Sequence, residues 1–293
     1  MPHLTAGALA SIPSPSDGML HLGPVSLHMY GVIIGIAVIV GALVGRARYI
    51  AKGSGGDEDA KARASTYDRV VFWAVLGGLV GARLYHVVTD YQLFEGNWGR
   101  TIEIWNGGFA IWGAVLGGAC ALWIVCRRRH LSFAELGDSM VPGIAFAQAI
   151  GRWGNYFNQE LFGGPSGLPW AIEIDPAHRP AGYAQTATFQ PTFLYESLWC
   201  LALAFALLWV DRRYRLVRGQ LICLYVAGYT AFRLVMEEMR IDPAHTIGPL
   251  RVNAWVSIVL FIGAVTRFVV LGRRARDRAD DAVAAPVQEP ARS

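Results

Sequence analysis

One apolar stretch near the end of the sequence carries ionisable residues at helical spacing. In the segment YTAFRLVMEEMR, Tyr229, Arg233, Glu237 and Arg240 follow one another at intervals of four, four and three residues. Side chains with this spacing share one face of a helix. A charge within the membrane is costly, so such residues are functional candidates by default. An Arg233–Glu237 pair that only neutralises itself is the simpler alternative, but buried ion pairs rarely add net stability.

A second group of polar residues lies in the segment GRWGNYFNQELFGGPSG, residues 151–167. It combines Arg152, Asn155 and Glu160 with several glycines, among them Gly163. Arginine binds phosphate in a two-pronged manner, and an amide can donate beside it. Glycines let backbone N–H groups approach an anion. The segment therefore indicates an anion site, with an ordinary polar loop as the alternative.

Smaller polar groups lie near the ends of other apolar stretches. Glu196 begins one stretch in QPTFLYESLW, and His28 and Tyr30 begin another in LHMYG. Arg83 and His86 form a basic pair in GARLYHVV. A tyrosine at such a boundary is often only an aromatic anchor, and a terminal arginine can extend towards the surface. All five groups nevertheless converge on one half of a membrane bundle, which favours a pocket for an anionic, amphipathic ligand such as a phospholipid headgroup.

Apolar segments of membrane-spanning length must position these residues. Of the 293 residues, 54% are hydrophobic and only 16% are charged, against about 25% charged in soluble domains. A spanning helix needs about 20 mostly apolar residues. Seven segments meet this requirement, at roughly residues 27–45, 70–88, 107–126, 135–151, 192–210, 219–239 and 254–272.

The fold class predicted by these segments is all-α, a polytopic helical bundle in the cell membrane with about seven transmembrane helices. Basic residues concentrate after the first, third and fifth segments and in the tail. The positive-inside rule then places the N-terminus outside and the C-terminus in the cytoplasm. We expect one transmembrane catalytic domain over residues 1–272. The polar, charged residues 273–293 are predicted to form a disordered cytoplasmic tail.

Several partner classes are disfavoured by the composition. The net charge of +4 would suit nucleic acid, but the basic residues lie at the ends of apolar segments, as at a membrane surface. The four cysteines form no CxxC pair, and no Cys/His group has zinc spacing. We therefore expect no nucleic acid, no metal and no cofactor, and we expect membrane lipid as a partner.

The motifs, taken together, resemble a known family. GRWGNYFNQELFG, PTFLYE, IWNGGFAIWGAVLGG and FRLVMEEMR occur in the order and spacing of the bacterial prolipoprotein diacylglyceryl transferases, and the resemblance covers roughly residues 25–272. It implies transfer of the sn-1,2-diacylglyceryl group of phosphatidylglycerol to the lipobox cysteine of prolipoprotein precursors. The implied products are a thioether and glycerol phosphate.

The resemblance also implies roles for individual residues. Arg152 and Arg233 would stabilise the phosphate that leaves, because preorganised donors act on developing charge. Glu160 and Glu237 are candidate bases for the substrate thiol, which reacts as the thiolate. The residues expected to bind substrate are Arg152, Asn155, Gly163, Tyr30, Tyr229, Glu196 and His28.

Two positions depart from the family pattern. Many members have histidine where this chain has Trp112, and many have histidine where it has Gln190. The usual histidine base is therefore absent, and two other interpretations stay open. One is an inactive paralogue that only binds lipid. The other is a lipid or solute transporter, although the sequence shows no inverted repeat and no paired broken helices.

Overall fold

The computed structural model describes residues 11–15, 17–23, 25–53, 55–103, 107–108, 110–242 and 246–284. Across these ranges the chain is mainly α-helical. The α-helices are α1 (Met29–Ala51), α2 (Asp57–Thr89), α3 (Ile111–Arg128), α4 (Phe133–Gly151), α5 (Trp153–Asn158), α6 (Thr192–Arg213), α7 (Gln220–Met239) and α8 (Val252–Ala284).

Each of the seven predicted spans coincides with one of the long helices. In the described part of the chain, five of them, α1, α2, α3, α6 and α8, are long and apolar enough to cross a membrane. Polar residues lower the hydropathy of the other two, for example Asp138 in α4 and Arg233 in α7. The predicted helical membrane protein is confirmed, whereas the count of seven spans and their orientation stay predictions.

Short antiparallel hairpins connect some of the helices. Strand β1 (Met19–Leu22) pairs with β2 (Val25–His28) directly before α1. Strands β3 (Ile172–Glu173) and β4 (Thr188–Phe189) pair within the long loop before α6. Strands β5 (Thr246–Ile247) and β6 (Leu250–Arg251) pair directly before α8. The last hairpin returns the chain from the end of α7 to the start of the final helix.

Two compact units make up the chain, and residues 45–140 form one of them. In this unit α2 and α3 approach closely at glycines. A Cβ atom added to Gly81 would lie 2.4 Å from the carbonyl oxygen of Gly113, and one added to Gly117 would lie 2.2 Å from that of Gly77. Only glycine fits such a contact, as expected for helix packing in lipid. A core around Tyr67 stabilises the unit's other end.

The other unit consists of residues 1–44 and 141–293. Within it α7 packs against both α6 and α8. Residues of the long loop before α6 form a separate apolar core with the start of that helix. Its buried members are Phe162, Ile172, Ile174, Phe189 and Phe193. This core holds the loop on the end of the helices that carry the candidate site.

The end of the chain differs from the predicted disorder. Helix α8 continues past the apolar segment to Ala284, so residues 273–284 are helical. Two physical reasons account for this. Extending an existing helix needs no new nucleation, and opposite charges four residues apart, such as Arg273 and Asp277, favour helix. Residues 285–293 of the predicted tail lie outside the described residues.

Candidate active site

Helix α7 presents the polar face that its sequence predicts. Arg233 and Glu237 lie one turn apart, and Nη2 of Arg233 is 2.5 Å from Oε1 of Glu237. The Glu237 side chain is only 1% exposed. A carboxylate this deeply buried must be compensated by positive charge. The predicted ion pair therefore exists. Whether it serves only to neutralise itself depends on the other residues that contact it.

Glu196 in the second turn of α6 joins this pair to a second arginine. Its Oε1 atom is 3.0 Å from Nη1 of Arg233, and its Oε2 atom is 2.5 Å from Nη2 of Arg152. The Glu196 side chain is 7% exposed. Glu196 thus bridges both arginines that were expected to bind phosphate. An isolated Arg233–Glu237 pair does not describe this site.

Arg152 lies where α4 ends and α5 begins, at the start of the second sequence motif. Besides its contact with Glu196, its Nη2 atom donates to the Tyr229 hydroxyl at 3.1 Å. Tyr229 stands one turn before Arg233 on α7. The contact therefore joins the segment of residues 151–167, which we call the signature motif, to the polar face of α7. The sequence predicted that these two groups lie close together.

Arg251 completes the group, and no sequence motif points to it. Its Nη1 atom is 3.0 Å from Oε2 of Glu237. Helical periodicity cannot connect the two residues, because a loop and the β5–β6 hairpin separate them along the chain. We call the alternating series of these charged side chains the ionic chain. Its members are Arg152, Glu196, Arg233, Glu237 and Arg251.

The ionic chain has unused capacity for an anion. It contains three guanidinium groups and two carboxylates, so it carries one excess positive charge. Among the described residues, the Nε atoms of Arg152 and Arg233 contact no acceptor. Each guanidinium has five N–H donors in a fork that matches a phosphate group. The two Nε–H groups therefore remain available to a further acceptor while the internal pairs stay in place.

Asn155 and Glu160 of the signature motif contact each other, apart from the ionic chain. The Nδ2 atom of Asn155 donates to Oε1 of Glu160 at 2.9 Å, and Asn158 donates to the same oxygen at 3.2 Å. Asn155 is buried, whereas Glu160 is exposed. Two amide donors thus fix one oxygen of an accessible carboxylate. No bond joins Glu160 to the ionic chain within the described ranges.

Gly163 forms a tight backbone junction. Its N–H donates to the carbonyl oxygen of Gln190 at 2.9 Å, and it bridges to Arg240 at the end of α7. A Cβ atom here would lie 2.8 Å from Cβ of Gln190 and 3.0 Å from the carbonyl oxygen of Met239. The absence of a side chain therefore lets the loop meet the ends of α6 and α7.

Tyr30 and His28 differ in how close they come to this group. The Tyr30 ring packs on Gly154, where an added Cβ atom would be 2.6 Å from the ring. Gly154 belongs to α5, so Tyr30 lies beside the signature motif. His28 ends β2 and is exposed. In the part of the chain that is described, no hydrogen bond or ion pair joins His28 to the ionic chain.

Trp112 and Gln190, which depart from the family pattern, lie apart from the ionic chain in the described contacts. Trp112 lies in the first turn of α3 and is 41% exposed. Gln190 accepts a hydrogen bond from the Tyr195 hydroxyl at 2.6 Å, and Tyr195 in turn accepts one from Trp170. Gln190 thus contributes to a hydrogen-bonded series of side chains at the start of α6.

Arg83 has a structural role in its own unit. It donates to the backbone carbonyls of Thr101 and Gly107 at 2.8 and 2.7 Å, and to that of Gly108 at 3.2 Å. These contacts fix the segment that leads to α3. His86 lies one turn further along α2 and pairs with Asp90 at 2.9 Å. Arg83 and His86 thus contact loop residues of their own unit.

A crevice between α6 and α7, too narrow to admit a water molecule, is lined by both polar and apolar side chains. Glu196, Tyr229 and Arg233 line one part of it. Trp199 and Phe232 line another, with their rings stacked at a centroid distance of 4.6 Å. Charged and aromatic side chains of the two helices thus lie side by side. Fold and site together define a helical membrane protein with a buried cluster of alternating arginines and carboxylates.

Comparison with known proteins identifies the family. The sequence model of the prolipoprotein diacylglyceryl transferase family matches residues 17–270. A phosphatidylglycerol–prolipoprotein diacylglyceryl transferase of Cutibacterium acnes is 49% identical over 267 residues, which cover 90% of this chain and 88% of that relative. One of Streptomyces griseus is 48% identical, with coverage of 94% and 82%. The chain belongs to the prolipoprotein diacylglyceryl transferase family.

Proposed function

We propose that this chain transfers the sn-1,2-diacylglyceryl group of phosphatidylglycerol to the thiol of the lipobox cysteine in prolipoproteins. The thiolate sulfur forms a bond to the terminal glyceryl carbon, and the bond from that carbon to the phosphate oxygen breaks. Glycerol phosphate leaves with the electron pair, and a base accepts the thiol proton. The ionic chain carries this proposal, because two of its three guanidinium groups, those of Arg152 and Arg233, have donors to spare beside the crevice between α6 and α7.

Arg152 and Arg233 are assigned to the lipid phosphate. Glu196 holds one guanidinium on each of its two oxygens, so both are oriented before substrate arrives. Preorganised donors need no rearrangement as negative charge grows on the leaving phosphate, which makes such donors effective. The Tyr229 hydroxyl further restrains Arg152. In this assignment Glu196 and Tyr229 position the arginines rather than react.

Glu160 is the better of the two candidate bases. Both oxygens of Glu237 already accept from guanidinium groups and the residue is buried, so a substrate thiol cannot reach it without breaking the ionic chain. Glu160 is exposed, and within the described residues its Oε2 atom has no donor. A base must come within hydrogen-bonding distance of the proton that it removes. We assign that role to Glu160, with Asn155 as the residue that orients it.

The proposed topology places the site near the outer surface of the cell membrane. The basic residues after the first, third and fifth spans argue for an external N-terminus and a cytoplasmic C-terminus. The signature motif and the loop over residues 152–190 then lie outside. A precursor that emerges across the membrane would meet the site from that side, while phosphatidylglycerol would reach it from within the bilayer.

Release of glycerol phosphate by the purified protein tests the function. Phosphatidylglycerol and a peptide with a lipobox cysteine should yield equal amounts of glycerol phosphate and lipidated peptide. The same peptide with serine in place of cysteine should yield neither. The inactive paralogue stays a second candidate, because Trp112 and Gln190 replace the usual histidines. Lipid binding without product from the cysteine peptide would favour that candidate.

A further inference from the structure

Arg251 connects the β5–β6 hairpin to the ionic chain. It is the last residue of β6, directly before α8, and its side chain is 15% exposed. Its Nη1 atom pairs with Oε2 of Glu237, and its Nη2 atom donates to the backbone carbonyl of Asp242. The guanidinium thus reaches from the start of one helix back to the end of another.

The loop after α7 keeps Arg251 in this orientation. Arg240 donates to both carboxylate oxygens of Asp242, at 2.7 and 2.9 Å. The Arg251 guanidinium is 3.8 Å from the same carboxylate. Burial alone would raise the pKa of the Asp242 carboxyl, but the hydrogen bond and charge of Arg240, with the charge of Arg251, outweigh it and lower that pKa. Asp242 is therefore ionised at neutral pH and helps to orient Arg251.

The charge of Arg251 determines how much positive charge remains at the site for an anionic ligand. Glu237 is shared between the two arginines, one on each oxygen. Without Arg251, the four remaining groups of the ionic chain would be electrically neutral. The excess positive charge that can attract an anionic headgroup would then be lost, and low-dielectric surroundings would make that loss large.

We propose that Arg251 is a positioning residue for anionic lipid: it shares Glu237 with Arg233, so that the negative charge of Glu237 is not balanced by Arg233 alone and the spare donors of Arg233 can bind the lipid phosphate. The inference rests on the proposed function, because it concerns the same site. Arg251 itself need not contact the substrate. It acts through its ion pair with Glu237, just as Glu196 orients Arg152 through an ion pair without contacting substrate.

Three variants separate this role from a purely structural one. Arg251→Met removes the charge and should weaken phosphatidylglycerol binding at least about tenfold, the scale of one charge-assisted interaction. Arg251→Met with Glu237→Gln removes one charge of each sign, which restores the excess positive charge and should recover most of the affinity. Arg179→Met is the control and should bind like wild type, since within the described residues Arg179 donates only to the carbonyls of Ile174 and Ala184.

Lipid binding is measured with the full-length protein in nanodiscs, as the preference for phosphatidylglycerol over phosphatidylcholine, together with thermal unfolding and transfer rates. Weak binding by Arg251→Met that the added Glu237→Gln restores is the expected result. Unchanged binding by Arg251→Met would overturn the inference. So would equal weakness of the single and double variants, because that pattern indicates a structural role. If the wild type binds phosphatidylglycerol selectively but transfers nothing, the proposed function fails while the inference stands on its binding data.

Discussion

The double substitution Arg233→Met with Glu237→Leu tests the phosphate role of Arg233 most cleanly. It removes one charge of each sign from the ionic chain. Glu196 keeps Arg152 at 2.5 Å, and Arg251 keeps its bond to the Asp242 carbonyl. The remaining groups still carry one excess positive charge. The net charge is therefore preserved while one guanidinium is lost.

The expected magnitudes for activity and stability differ in kind. Replacing a buried ion pair by apolar residues of similar size is often neutral or stabilises by about 1–4 kcal/mol. Losing one preorganised donor to a developing anion typically lowers the rate by about 10²–10³-fold. Here the gain in stability is offset, because Oε1 of Glu196 and Nη1 of Arg251 each lose a partner. We therefore expect a variant that folds, unfolds near the wild-type temperature and transfers at most about 1% as fast.

Glycerol phosphate release and thermal unfolding in detergent are the two assays. The matched control is Arg251→Met with Glu237→Gln, which leaves the same net charge but retains Arg233. That control should stay active, which would show that charge alone does not explain the loss. Activity of the Arg233→Met, Glu237→Leu variant within about threefold of wild type would refute the reasoning and leave Arg152 as the sole phosphate ligand; the donor's expected effect is far larger.

Three further expectations concern other parts of the chain. Trp112→Phe should retain most transfer activity, because indole has no acid–base chemistry near neutral pH; a large loss of glycerol phosphate release would indicate a contact made by the indole N–H. Gly163→Ala should lower the unfolding free energy by about 1–3 kcal/mol through overpacking, whereas Gly164→Ala, with open space at its Cβ position, should leave the unfolding temperature unchanged. In intact cells whose protein lacks the native cysteines, an impermeant thiol reagent should label Ala181→Cys but not Asp280→Cys; the opposite pattern would reverse the proposed topology.

Sequence reasoning located most of the helices because their signals are local. Apolar segments of membrane length predict α1, α2, α3, α6 and α8 directly. Spacing along α7 placed Tyr229, Arg233 and Glu237 on one face, and the structure confirms that face. Disorder was wrong for residues 273–284, because composition alone does not register that a charged segment continues an existing helix.

The connections between distant segments could not be read from local patterns. Glu196 was recognised only as a residue near a boundary, yet it bridges Arg152 and Arg233. No local pattern singles out Arg251, because its partner Glu237 lies on α7, on the other side of a loop. Such contacts depend on how α6, α7 and the β5–β6 hairpin pack, and a single sequence does not specify that packing.

The position of the lipid phosphate tests the central claim most directly. An electron cryomicroscopy structure of the protein in nanodiscs of phosphatidylglycerol would locate the headgroup. The account predicts phosphate oxygens within about 3 Å of guanidinium nitrogens of both Arg152 and Arg233, with Glu196 still between the two arginines. A headgroup bound elsewhere in the protein, with the ionic chain intact and no phosphate at either arginine, would contradict it.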